Sequence, residues 1–148
     1  MEVVLAIRRP TGKLLLHTKA FYPQGIFRLP SGTMEGEESI AEAVLREARE
    51  ETGLTVRVVS FLGVIQYELR SAAQALTFAT YAFLLDEVGG VLMPDEVGEE
   101  ITAFREVESQ ELLGIAARLR SLRGRWRDWG LFRAPAHNLV ARALKGNC

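Results

Sequence analysis

The chain has almost no cysteine: one residue, Cys148, at the last position. An internal disulfide is therefore impossible, which removes the cross-linked secreted miniature folds. It also lacks repeats, low-complexity tracts and any linker rich in Pro, Gly and Ser. No apolar run approaches the ~18 residues of a membrane span. Val3–Ile7 is too short for the core of a secretory leader and has no basic segment before it. These absences predict a soluble cytoplasmic protein with no membrane partner. With 48% hydrophobic and 25% charged residues in 148 positions, the composition is that of one globular domain, 1–148, long enough to bury a substantial core.

The net charge of −1 hides strong segregation. Residues 35–51 hold seven acids against two arginines, and residues 95–111 hold seven acids against Arg105. Residues 118–133 reverse the sign, with six arginines against Asp128. An acidic cluster that recruits a cation beside a basic segment that recruits phosphate suits a nucleotide phosphohydrolase. The plainer reading pairs the basic segment with the acidic surfaces, within the monomer or across a homodimer.

The pattern along the chain reads as strands at Glu2–Arg8 and Lys13–Thr18, joined by a hairpin turn at Arg9-Pro10-Thr11-Gly12. A short strand is expected near Ile26–Leu29, then strands at Thr55–Leu69 (with a bend at Gly63), Leu76–Leu85 and Ile101–Val107. Val88–Gly98, with Gly89, Gly90 and Pro94, reads as a loop. Ser109 is expected to cap a helix from about Gln110, and Ala134/Pro135 to open a last helix to Leu144. Interleaved strands and helices of this kind predict an α/β fold with a mixed sheet between helices.

Residues 39–53 carry the densest information. Ser39 and Glu42 form a capping box, Ala41, Val44, Leu45 and Ala48 recur at helical spacing as a core stripe, and Gly53 is placed to end the helix. Glu47, Glu50 and Glu51 then fall within an arc of roughly 100°, on a side that faces a cleft or solvent. Three carboxylates so close repel one another unless a cation joins them, and hard ions such as Mg²⁺ prefer oxygen ligands. The alternative is a solvated helix face held by the Glu42–Arg46 and Arg46–Glu50 pairs.

Gly32, Glu38 and the run Arg46-Glu47-Ala48-Arg49-Glu50-Glu51-Thr52-Gly53-Leu54 together resemble the Nudix box, G-x5-E-x7-R-E-U-x-E-E-x-G-U, at every fixed position. The approach Gly25-Ile26-Phe27-Arg28-Leu29-Pro30-Ser31-Gly32 resembles the family's lead-in, departing at Ser31, where glycine is usual, and at Phe27, where tryptophan is common. The resemblance implies an α/β/α sandwich and a Mg²⁺- or Mn²⁺-dependent hydrolase that cleaves a nucleoside diphosphate linked to another moiety by water attack at phosphorus. It places Arg46, Glu47, Glu50 and Glu51 in the catalytic machinery. Glu47 and Glu51 would be direct metal ligands, Glu50 a ligand or, through a second metal, a base, and the Gly32 carbonyl a further ligand. Arg46 would orient a glutamate, and Glu38 would support the loop or reach a second metal through water.

A carboxylate outside the box often completes such sites. Glu96, Glu99 and Glu100 are candidates, Glu100 first, with solvated loop acids as the alternative. Arg28 is expected either to contact phosphate or to lie on the outer face of its strand. Residues 125–133 interleave Trp126, Trp129 and Phe132 with arginines, which suits base stacking and phosphate binding but equally suits core packing. His137 reads as a packing residue, and His17 carries no assigned role.

Of the substrate markers, no proline follows the box until Pro94, which argues against the ADP-ribose type, and Tyr67 falls short of the tyrosine offset of the dinucleoside polyphosphate type. Nucleoside triphosphates, nucleotide sugars and RNA 5′-end processing stay open, although no extended nucleic-acid surface is evident. The rival function is a catalytically silent ligand sensor on the same fold, whose usual mark, eroded box glutamates, is missing here. An isoprenoid diphosphate isomerase would need an interior cysteine, which terminal Cys148 cannot supply.

Overall fold

The computed structural model of the chain describes residues 1–93 and 100–146. Its elements run β1 (Glu2–Arg8), β2 (Leu14–Lys19), β3 (Ser31–Thr33), α1 (Ile40–Thr52), β4 (Leu54–Arg70), β5 (Ala75–Gly90), β6 (Ile101–Val107), α2 (Leu112–Arg120) and α3 (Arg127–Ala143). The strands make one mixed sheet in the order β4-β5-β1-β2-β6, with β3 paired to the start of β1. The β1–β5 pair is parallel, and the others are antiparallel.

β1 explains the layering. Val3, Leu5 and Ile7 point to one face and pack with Ala43, Val44 and Ala48 of α1. Val4 and Ala6 point to the other and pack with Leu112 of α2 and with Ala136, Val140 and Ala141 of α3. A strand covered on both faces must be apolar at consecutive positions, which is why residues 3–7 form an unbroken hydrophobic run. The α/β/α sandwich is thus the fold that the sequence predicted.

The Arg9–Gly12 turn forms as expected, with Gly12 N–H donating to the Arg9 carbonyl at 2.8 Å. Several other elements differ from expectation. Residues 26–29 make no strand, only a bridge between Arg28 and His17. β5 continues through Gly89 and Gly90 because those residues pair with Thr55 and Leu54 of β4, and cross-strand pairing overrides the weak intrinsic preference of glycine. The register shifts twice between Val58 and Gly63, the expected site of a bend. Glu108, not Ser109, caps the turn that leads into α2.

α3 starts at Arg127, eight residues early, and carries Pro135 in its interior. Ala134, Ala136, Val140 and Ala141 are all buried there, and that packing holds the helix across a residue that donates no backbone hydrogen bond. The predicted loop acids Glu96 and Glu99, as well as Pro94 and Cys148, lie outside the described residues. No helix among the described residues is long and apolar enough to cross a membrane.

Candidate functional site

α1 begins and ends as its sequence dictates. Ser39 Oγ accepts from Glu42 N–H at 3.1 Å, and Glu42 returns the bond to Ser39 N–H at 3.0 Å. At the other end Gly53 adopts φ 80° and its N–H reaches the Arg49 carbonyl. A Cβ at Gly53 would stand 2.1 Å from the Met93 carbonyl, so only glycine fits.

The buried face of α1 is not the expected stripe. Ala43, Val44, Glu47, Ala48, Glu51 and Thr52 point inward, while Leu45 is 47% exposed and Ala41 is exposed. The helix is rotated so that two of the three glutamates enter the protein. Glu47 and Glu51, one turn apart, are 6% and 4% exposed. Glu50 stays at the rim.

Three elements meet at these carboxylates. β3 brings Gly32, whose missing side chain makes room for Glu47: a Cβ there would stand 1.8 Å from the Glu47 carboxyl carbon. β2 brings His17, with Nδ1 3.4 Å from Glu51 Oε2, and Lys19, with Nζ 3.9 Å from Glu51 Oε1. The loop before α1 brings Glu38. Glu100, just before β6, is exposed, and its backbone carbonyl accepts from Ala20 N–H, the residue after Lys19, at 3.0 Å.

Arg46 ties the acidic cluster together. Its Nε and Nη2 donate to the two Glu38 oxygens at 2.9 and 2.7 Å, a bidentate grip. Nη1 donates to Glu47 at 2.7 Å and to Glu50 at 3.0 Å, and Nη2 also reaches the Thr33 carbonyl. The Arg46 guanidinium, with backbone help from Glu35, holds the Glu38 carboxyl down at about 2. Glu38 in turn raises the pKa of Arg46. His17 is shifted well below its ordinary value, first by burial and then by Arg28, Lys19 and Arg133, and is a neutral imidazole. Neither of its ring nitrogens makes a hydrogen bond among the described residues.

The donor set suits a hard divalent cation. Two enclosed carboxylates and a third at the rim are oxygen donors of the kind such an ion prefers, and Glu47 lies directly over Gly32. As the side chains stand, no three acidic or histidine groups among the described residues converge on one point, because the Arg46 guanidinium lies among Glu38, Glu47 and Glu50.

Arg28 departs from both expectations. It is 5% exposed and donates to Tyr22 Oη, the Leu29 carbonyl and Ser31 Oγ at 2.8–2.9 Å. The bridge to His17 turns it inward, where it cannot meet a phosphate at the surface. Ser31, the departure from the family pattern, is used: its hydroxyl also accepts from Arg133 at 3.4 Å, and no non-glycine residue among those described has positive φ. Arg133 grips Glu2 through Nη1 at 2.8 and 2.9 Å, and Thr80 Oγ1 donates to the same carboxylate. His137 is buried, accepting from Leu29 N–H at 3.1 Å and facing the Arg133 carbonyl at 2.9 Å. Tyr67 donates to the Phe132 carbonyl.

Sequence reasoning missed His17 and Lys19. A lone histidine closing a Leu-Leu-Leu run gives no hint that the strand passes under a helix about 35 residues further on. It also missed Phe21 and Tyr22, which the fold brings against Trp126 and Trp129.

A NUDIX domain model matches residues 1–130 of this chain. An ADP-ribose pyrophosphatase from Methanocaldococcus jannaschii is 38% identical over 93 residues, covering 62% of this chain and 54% of that protein. The NAD-capped RNA hydrolase NudC of Vibrio atlanticus is 30% identical over 93 residues, covering 63% of this chain and 32% of that protein. The matched segments thus span about half and about a third of those relatives' lengths. Among solved structures, a UDP-X diphosphatase superposes with a TM-score of 0.64 at 20% identity, covering 100% of this chain and 64% of that one. A MutT protein from Methanosarcina mazei gives 0.57 at 24% identity, covering 99% and 93%. At these identities the structural likeness is one of fold.

Proposed function

The chain belongs to the NUDIX family, and from that premise we propose that it hydrolyses a pyrophosphate bond in a nucleoside diphosphate linked to another moiety, using a divalent cation. The observation that carries this reading is the intact glutamate set, with Glu47 and Glu51 enclosed side by side and Glu38 and Glu50 gathered on Arg46. Mg²⁺ or Mn²⁺ held by Glu47, Glu51 and the Gly32 carbonyl would supply neutralising charge and a more acidic water, with Glu50 left as the base. Glu100 is the proposed outside carboxylate, a reading supported by its backbone bond to Ala20, the residue after Lys19.

The residues divide the work. Water attacks phosphorus, a P–O bond forms, the bridging P–O bond breaks, and a phosphate-terminated product leaves. Glu50, at the rim, takes the proton from the attacking water. Arg46 is a positioning residue that fixes the carboxylates through its four-way grip and does not touch substrate. His17 packs against Glu51, with Nδ1 3.4 Å from Oε2.

The names of the two curated relatives suggest which substrates to test first, since ADP-ribose and NAD both contain an ADP unit. The test is phosphate release from ADP-ribose, NAD, UDP-sugars, dinucleoside polyphosphates and nucleoside triphosphates with Mg²⁺ or Mn²⁺. One class should turn over, and Glu51→Gln should lower its kcat about a thousandfold, the scale of several kcal/mol of lost charge stabilisation. Unchanged turnover in Glu51→Gln overturns the assignment. Nucleotide binding without any turnover identifies a ligand-binding module instead.

A further inference from the structure

β2 carries a buried histidine that the proposed reaction does not use. His17 is wholly enclosed, and neither ring nitrogen makes a hydrogen bond among the described residues. Its backbone is satisfied: its N–H donates to the Arg28 carbonyl and its carbonyl accepts from Arg28 N–H, both at 2.9 Å. Only the imidazole is left over. The nearest polar side chains are engaged elsewhere, since Arg28 donates to Tyr22 Oη, the Leu29 carbonyl and Ser31 Oγ. Tyr22 meets the imidazole through its ring, edge-on at 6.4 Å. A buried polar group without a partner is costly, and an ion is one of the few things that explain it. A leucine would fill the place at no such cost, as Leu15 does two residues earlier against α1.

The imidazole is aimed at the acidic site. Nδ1 stands 3.4 Å from Glu51 Oε2, beyond the about 2.7–3.2 Å of a hydrogen bond. Two atoms that each lie about 2.1 Å from one metal ion are about 3.0 Å apart at a right angle and about 3.4 Å apart at the tetrahedral angle. The pair is therefore spaced as two ligands of one ion. The other Glu51 oxygen is turned to Lys19, whose Nζ is 3.9 Å from Oε1, so Oε2 is the oxygen that faces His17. Glu47 lies one turn earlier on the same inward side of α1. A nitrogen donor changes which ion such a site favours. Carboxylate and carbonyl oxygens suit Mg²⁺, whereas neutral imidazole favours borderline transition ions.

We propose that His17 is a nitrogen ligand of the divalent cation at Glu51, which makes this site select a borderline transition ion such as Co²⁺ or Zn²⁺ over Mg²⁺. The proposal rests on the phosphohydrolase reading for the presence of a cation, but its test reads binding and not turnover. In the unaltered protein loaded with Mn²⁺ as a paramagnetic probe, pulsed electron paramagnetic resonance should show modulation from a directly bound nitrogen. Labelling histidine alone with ¹⁵N should change that modulation. Because this measurement uses the unaltered chain, it holds whether or not a variant folds. In calorimetric titrations, His17→Leu should lower the ratio of Co²⁺ to Mg²⁺ affinity at least about tenfold, the scale on which ligand-sphere changes alter metal binding.

Circular dichroism checks the fold of the variant. The absence of nitrogen modulation overturns the proposal, as does a signal that histidine labelling leaves unaltered. An equal loss of both ions in a folded His17→Leu also overturns it and marks His17 as a positioning residue for Glu51. Metal-dependent turnover without a histidine signal removes the ligand and leaves the hydrolase. A histidine signal with the shifted ion preference, in a protein that hydrolyses nothing, supports the ligand and removes the hydrolase reading alone.

Discussion

The two faces of the sheet assemble their charged groups over very different distances along the chain. On the α1 face, Arg46 reaches Glu47, Glu50, Glu38 and Thr33, all within 13 residues of it. On the α3 face, Arg133 reaches Glu2 across 131 residues, and His137 reaches Leu29 across 108. One cluster is the product of a single segment; the other fastens the beginning of the chain to its end. The difference separates chemistry from stability: disturbing the first should damage the site and spare the fold, and disturbing the second should do the reverse.

The strongest way to break that contrast is Glu2→Ala. It leaves the guanidiniums of Arg28 and Arg133 on the α3 face without the Glu2 carboxylate. Removing one partner of a buried pair costs about 3 kcal/mol or more, and urea unfolding should show that loss. If stability is unchanged, the α3 face is not the fastening described here.

Acidification sharpens the comparison. Burial lowers His137 to about 3, so between pH 6.5 and about 3 the unfolded chain binds a proton there that the folded chain does not. Stability must fall with pH in that window, by up to roughly 1.4 kcal/mol per pH unit for this one group. Glu38 on the α1 face, held at about 2, begins to lose stability only below its ordinary value of 4.5. His137 on the α3 face, like buried His17 beside Glu51 of α1, should thus respond to acid before Glu38 does. His137→Gln should flatten the slope of unfolding free energy between pH 6 and 5 relative to the parent, and an unaltered slope would refute the assignment.

Ser31→Gly should have the smallest effect. It restores the usual family residue but removes the hydroxyl that accepts from Arg28 and Arg133. A loss of about 1 kcal/mol is expected, with kcat unchanged; a large fall in kcat would show that Ser31 belongs to the acidic site.

The same contrast explains what could be read from the sequence. The caps of α1, the glutamate spacing and the Arg46 contacts are local, so Ser39, Glu42, Glu47, Glu50 and Gly53 are recognisable from their spacing alone. The rotation of α1 is not, because Glu47 and Glu51 are polar residues on the buried side, and an apolar stripe alone points to Leu45. Arg28, His17 and Phe21 could not be placed, since their partners are set by which strands pair and which helix covers them. Pro135 misled for a related reason: local rules place proline at a helix start, and the tertiary packing of Ala134 and Ala136 overruled them.

β1 has a consequence for the order of folding. Its residues are synthesised before those of the other strands, yet their parallel partners are Thr80–Asp86 of β5, and Glu2 waits for Arg133. The β4–β5 hairpin can close locally through the Ser71–Gln74 turn, and α1 carries its own caps. β1 is therefore completed only after β5 and α3 are made, and its apolar run of residues 3–7 lacks those partners until then. Contacts of such long sequence separation slow folding, and during synthesis that run is the segment most in need of a chaperone.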